Sequence, residues 1–215
     1  MALRAFLSFS GGKDSHLSLW KAKASGFEVV ALLSMVREDG AYSASHRIPV
    51  DILKRQSEAL GIPVTICPTS WEAYEENFSA CLRAFREEGV TFGIFGDIDL
   101  EEHRAWVERV CARCGIVPFL PLWGKDHKEV ALEVVRAGFE AYVTVVRDGT
   151  LPVTFLGRRF DETLLHELVE LGIDPCGEGG EFHTLVVSGP LYRFPISYAF
   201  GKVAFDGRCH YLEVS

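Results

Sequence analysis

The strongest constraint on the fold is an alternation that runs through the first two-thirds of the chain. Short apolar runs, Ala5–Phe9, Phe27–Val36, Pro63–Cys67, Val90–Phe95 and Ile116–Leu120, are separated by stretches with helical spacing. Several runs are apolar on successive residues, as strands covered on both faces must be. Between them, Trp71, Tyr74, Phe78, Leu82 and Phe85 mark one face of a helix. Leu17, Trp20 and Ala24 mark a second, Val50, Leu53 and Leu60 a third, and Val107, Val110, Cys111 and Cys114 a fourth. Strand and helix in alternation imply βαβ units with right-handed crossovers, hence an α/β fold whose parallel sheet carries helices on both faces.

After Lys125 the pattern changes. A helix over His127–Ala137, a strand over Ala141–Val146 and a helix over Asp161–Leu171 precede a glycine-rich loop and two β-rich segments, Thr184–Val187 and Pro195–Val214. This predicts a parallel-sheet domain over 1–140 and a small α+β domain over 141–215. A length of 215 residues suits one domain with an appendage. Twenty-two basic against 30 acidic residues give a formal charge of -8, which argues against holding a nucleic-acid backbone. No apolar run approaches the roughly 18–20 residues of a membrane span, and the N-terminus is too short in apolar residues for a secretory leader. The expected location is the cytoplasm, with the six irregularly spaced cysteines as reduced thiols.

The string Ser8-Phe9-Ser10-Gly11-Gly12-Lys13-Asp14-Ser15 falls where the first strand turns into the first helix. Ligands of open α/β sheets sit at the carboxyl ends of strands, and a helix N-terminus presents unpaired N–H groups to phosphate. Glycines let backbone approach a ligand closely, serines add hydroxyl donors, and Lys13 adds a cation. The string departs from the G-x-x-x-x-G-K-[ST] loop, since Leu7 stands where its first glycine belongs and Asp14 where its Ser/Thr belongs.

A second cluster, Cys176-Gly177-Glu178-Gly179-Gly180-Glu181-Phe182-His183-Thr184, sets two carboxylates and a histidine in a glycine-rich turn. Such groups hold Mg²⁺, orient an amine or take a proton. Asp97 and Asp99 follow the fourth strand, where a ligand site is expected; Asp99 reads as a helix N-cap. His46 lies in a loop, open between exposure and substrate contact. Arg104 and Glu108 are spaced as a helix surface pair, Trp123 reads as packing, and Cys111 and Cys114 read as buried small hydrophobes rather than a metal pair.

The S-G-G-K-D-S string resembles the pyrophosphatase loop of the adenine-nucleotide α-hydrolase superfamily, whose HUP/Rossmann-like members cleave ATP between its α and β phosphates. Together with G-E-G-G-E-F-H-T, Gly96-Asp97-Ile98, Arg104, Glu108, Cys111, Gly115 and Pro121-Leu122-Trp123, nearly the whole chain resembles the diphthine–ammonia ligase family. Phe182 and His183 stand where archaeal and eukaryotic relatives carry Tyr and Glu, a form similar to the bacterial branch. The resemblance implies adenylation of a carboxylate by ATP and its amidation by ammonia, with release of AMP and diphosphate. The acyl substrate would be diphthine on elongation factor 2 or a small-molecule carboxylate. ATP would be held by Ser8, Ser10, Gly11, Gly12, Lys13, Asp14, Ser15 and Gly96, its adenine near Ser34 and Met35. Mg²⁺ would be held by Asp14 or Asp97. Lys13, Asp97, Glu178, Glu181 and His183 would serve catalysis, and His46, Arg104, Glu108, Gly179, Gly180 and Thr184 substrate binding. With no glutaminase domain in view, ammonia would arrive as free ammonium or from a separate donor. A homodimer is compatible with this reading. Its rivals are a tRNA-modifying enzyme with the same loop and a non-catalytic ATP-binding sensor.

Overall fold

The computed structural model describes residues 3–215. Strands β1 (Leu3–Ser8), β2 (Phe27–Arg37), β3 (Val64–Thr69), β4 (Phe92–Ile94) and β5 (Val117–Phe119) form a parallel sheet in the order β3-β2-β1-β4-β5. Between them run α1 (Lys13–Ala24), α2 (Val50–Leu60), α3 (Tyr74–Glu87) and α4 (Glu101–Arg113). The chain winds from β1 to β2 and β3 on one side, then returns to place β4 and β5 on the other. The point where the winding reverses lies between β1 and β4, and there the loops leaving the two strands diverge and open a crevice.

The remaining elements are α5 (His127–Arg136), β6 (Glu140–Arg147), a single helical turn at Val153–Phe155, α6 (Glu162–Glu170), β7 (Phe182–Ser188), β8 (Phe200–Phe205) and β9 (Cys209–Val214). The four strands form a second, antiparallel sheet in the order β7-β6-β9-β8. Asp126 and Asp161 cap α5 and α6 by accepting the N–H groups of Glu129 and Leu164 (3.0 and 2.9 Å).

Three clusters of buried side chains fill the molecule. Phe6, Phe78, Phe85, Val110 and Cys111 join α3 and α4 to one face of the parallel sheet. On the other face, Leu7, Leu19, Ile52 and Leu53 pack with Leu185 and Val187 of β7. Leu17, Val134, Leu164 and Phe182 join α1 to α5, α6 and β7. Helix α1 is therefore sandwiched between the two sheets, and its buried positions run around the helix through His16, Leu17, Ser18, Leu19 and Ala22 instead of following one stripe. Ala24, expected on that stripe, is exposed.

Two further expectations change. Trp71 does not extend the buried face of α3: the helix begins at Tyr74, and Trp71 sits in the preceding turn, 76% exposed and stacked on Tyr74 at 5.7 Å. Asp99 does not cap α4, whose N-cap is Leu100 with no side-chain bond; its carboxylate reaches His127 Nε2 at 3.0 Å. None of the six cysteines is in a disulfide, and Cys111 and Cys114 lie buried. No helix among the described residues is long and apolar enough to cross a membrane.

Candidate active site

At the end of β1 the chain turns through Ser10, Gly11 and Gly12 into α1. Gly11 adopts φ +80°, and a Cβ there would lie 2.7 Å from Gln56 Oε1 and 2.8 Å from Ile48 Cδ1. At Gly12 a Cβ would meet the His46 ring at 2.9 Å and the Thr184 carbonyl at 3.1 Å, so both positions need glycine. The turn holds itself: Gly12 N–H donates to Ser10 Oγ (3.2 Å), Ser10 Oγ to Ser15 Oγ (3.3 Å), and Ser15 Oγ to the Gly12 carbonyl (2.9 Å). The second layer holds it too. The Gly11 carbonyl accepts Gln56 Nε2 at 3.0 Å and Val186 N–H at 3.2 Å, and Lys13 N–H donates to Thr184 Oγ1 at 3.1 Å. One turn into α1, His16 Nδ1 meets the Gly12 carbonyl (2.9 Å) and Nε2 meets the Tyr192 hydroxyl (2.7 Å); burial pushes its pKa down to about 4.

Lys13 is 3% exposed. Its Nζ donates to both Asp14 oxygens (3.0 and 2.8 Å) and to the Cys176 carbonyl, and it lies 5.5 Å from the Phe160 and Phe182 ring centroids. Burial works to lower its pKa, but the charge and hydrogen bond of Asp14, with Cys176 and Glu178 nearby, outweigh it and raise it, so the ammonium keeps its charge.

The glycine-rich turn after α6 is braced by Asp174, which accepts the N–H groups of Cys176 (2.9 Å) and Glu178 (2.8 Å) and meets His127 Nδ1 at 2.7 Å. Glu178 is thereby delivered across the crevice, where its Oε1 accepts the Ile98 N–H at 3.0 Å in the loop after β4. Burial raises its pKa, and neighbouring Asp14 and Asp97 raise it further. His183 follows on β7, its ring 4.3 Å from that of His46. Burial, with Lys13 and Arg147 nearby, lowers the His183 pKa to about 4; burial, His183 and Lys13 hold His46 well below the ordinary value. Both imidazoles are neutral at pH 7.

These groups line one cleft of about 650 Å³. Ser8, Ser10, Lys13, Asp14 and Ser15 form its floor, joined by Gly96 and Asp97 from the loop after β4. His46, Glu178, His183 and Thr184 also line it. Trp71, Tyr74, Phe78, Phe95 and Trp106 make an apolar wall. Of that wall Trp71, Tyr74 and Phe78 stood in the helical pattern and Phe95 in an apolar run, all as core, while Trp106 stood in neither. His103 also lines the cleft, with Nδ1 3.3 Å from Asp97, whose bond raises its pKa. Its position in the first turn of the helix that follows Asp97 was a usable signal.

Other expected residues do not reach this cleft. Arg104 pairs with Glu108 (2.7 Å) and lies over Trp123 at 4.9 Å, away from the lining. Ser34 is buried and donates to the Phe9 carbonyl, while the Met35 carbonyl accepts Ala44 N–H at 3.0 Å; neither lines the cleft. Glu181 turns its carboxylate back toward Gly179 and does not line the cleft, leaving Oε2 buried without a hydrogen-bond partner. The Gly179 carbonyl accepts Arg147, and Gly180 lines an adjoining cavity.

The sequence matches the models of the diphthamide synthase N-terminal domain over residues 3–118 and C-terminal domain over 126–214. This chain belongs to the diphthamide synthase family. Among curated relatives named diphthine–ammonia ligase, the Danio rerio protein is 31% identical over 86% of this chain and 82% of its own length. The Homo sapiens protein is 27% identical over 89% and 81%, and the Schizosaccharomyces pombe protein 29% over 95% of this chain and 38% of its own length. A solved structure titled as a predicted subunit of tRNA methyltransferase from Methanocaldococcus jannaschii covers 90% of this chain at TM-score 0.48 and 18% identity. Family membership makes the chain an ATP-dependent ligase.

Proposed function

We propose that this ligase converts a carboxylate and ammonia into an amide, with ATP cleaved to AMP and diphosphate, and that its acyl substrate is diphthine on elongation factor 2 or a small carboxylate of similar chemistry. The name diphthine–ammonia ligase carried by its relatives supports the substrate class. The observation that carries the reading is Glu178, which crosses from the second sequence motif into the cleft floored by the first.

The phosphates lie on the turn from Ser10 to Ser15, where serine hydroxyls and the start of α1 face the cleft and Lys13 offsets their charge. Asp14 and Asp97 both line the cleft, and their hard carboxylate oxygens suit Mg²⁺. When bound there, Mg²⁺ supplies charge neutralisation to the departing diphosphate. The substrate carboxylate attacks the α phosphorus, the bond to diphosphate breaks, and an acyl-adenylate forms. Ammonium binds at Glu178, whose raised pKa lets the carboxylate take its proton; ammonia then attacks the acyl carbon and AMP leaves. Neutral His46 and His183 hydrogen-bond the reactants without adding charge. Glu181 serves the shape of the turn.

The test is diphosphate release with ammonium across a panel of carboxylates. Lys13→Ala lowers the rate by about two to three orders of magnitude, the usual cost of removing a charge-stabilising donor. An unchanged rate in Lys13→Ala overturns the assignment.

A further inference from the structure

A second cavity of about 610 Å³ adjoins the cleft and shares Ser45, Trp71, Tyr74 and His183 with it. Four arginines line it, Arg37, Arg47, Arg147 and Arg208, in a chain whose formal charge is -8. Its acidic neighbours do not neutralise all four. Asp206 pairs with Arg47 and also accepts the Arg208 and Cys209 N–H groups (3.0 and 2.8 Å). The Glu72 carboxylate is held by its own backbone and Ser70, and Glu38 is exposed. The Arg37 and Arg208 guanidinium groups have no side-chain acceptor among the described residues.

Arg47 and Arg147 are built in. Arg47 sits at φ 54°, a region non-glycine residues seldom adopt, with its guanidinium 3.8 Å from the Tyr211 ring centroid. Arg147 donates to the Gly179 carbonyl, and a Cβ on Gly180 would lie 2.6 Å from its Nη2. Each retains a buried Nε with no hydrogen-bond partner, a costly state for a guanidinium. His183 has Lys13 on the nucleotide side and Arg147 on the other as its charged neighbours.

We infer that this cavity seats a second acidic group of the acyl substrate, a carboxylate or a phosphate, while the carboxylate to be activated lies beside His183 and Lys13. The planar fork of arginine matches either oxyanion in two-point contact, and the shared lining gives one molecule a continuous path between the sites. The inference rests on the amide-ligase reading, and of its two acyl substrates it selects the small carboxylate, as an acid carrying at least two negative groups, over diphthine, which pairs one carboxylate with a quaternary ammonium.

The test reads binding without turnover. The full chain is saturated with α,β-methylene-ATP, so that the nucleotide loop is filled, and titrated separately with tricarballylate, inorganic phosphate and neutral acetamide. The Nε–Hε NMR signals of Arg47 and Arg147 report the cavity. One of the two anions is expected to shift both signals saturably while acetamide leaves them in place, and the tighter anion identifies carboxylate or phosphate. The Arg37→Ala/Arg208→Ala pair, chosen because both side chains are exposed and make no ion pair, should weaken anion binding about tenfold or more. Arg136→Ala, an exposed position elsewhere, should not. Unmoved signals, or equal affinity in the double variant, overturn the inference. Failure of α,β-methylene-ATP to bind is read separately and overturns the ligase reading, and with it the assignment of the cavity to an acyl substrate.

Discussion

Thr184→Val is the sharpest probe of how the two sheets share one site. The change is isosteric and removes only the hydroxyl that accepts the Lys13 N–H at 3.1 Å, in a residue 1% exposed. A buried donor stripped of its partner costs about 1–3 kcal/mol. For a chain of this length each kcal/mol corresponds to roughly 2–4 °C in melting temperature, so the variant should melt about 2–12 °C lower. Urea unfolding of Thr184→Val beside Thr184→Ser, which keeps the hydroxyl, separates the hydrogen bond from packing. Nucleotide affinity should fall as well, because the freed N–H loosens the first turn of the helix under the phosphates. A Thr184→Val protein as stable as Thr184→Ser and binding ATP equally would refute the claim that β7 holds the phosphate loop in place.

Glu178→Gln should raise the ammonium KM and remove an acid limb that the wild type shows above the ordinary carboxylate range, read from amide formation against pH; a retained limb assigns it elsewhere. Because the folded protein holds the Glu178 proton more tightly than the unfolded chain, wild-type stability falls as pH rises through that raised pKa, and the variant should lack this loss. His16 and His183 act in the opposite sense. Their folded pKa values near 4 lie below the ordinary value of 6.5, so their contribution is complete above pH 6.5 and is lost as pH drops toward 4. NMR titration should find both rings neutral at pH 6, and His16→Gln should flatten the acid side of the stability curve.

Much of this was legible in the chain itself. The five parallel strands follow from apolar runs that need no partner information, and the glycine turn from β1 into α1, to which the proposed function gives the phosphates, from the coincidence of glycines, serines and lysine at a strand end. Contacts made across sequence were harder to see. Gln56, inside a regular amphipathic helix, gives no local sign that its amide ties Gly11 to Val186. Trp71 fits the helical spacing of Tyr74 and Phe78, yet the helix begins after it and the ring turns to the cleft. Arg104 and Glu108 resemble the family pattern, but Arg104 pairs with Glu108 and lies over Trp123, a direction that spacing does not encode. Arg147, at the end of an ordinary strand, acquires meaning only when β7 brings Gly179 and His183 beside it.

The carbonyl of Cys176 against the Lys13 ammonium has a consequence for how such enzymes diversify. The glycine-rich turn, to which the proposed function gives the substrate chemistry, also completes the surroundings of Lys13, so the two segments are coupled in this structure. A chimera whose glycine-rich turn followed a different backbone course would leave the lysine without that acceptor. On the proposed function and the inferred anion seat, substitutions in the arginine-lined cavity, whose lining lacks Lys13, should change acyl specificity with less disturbance to that lysine than substitutions in the turn that touches it.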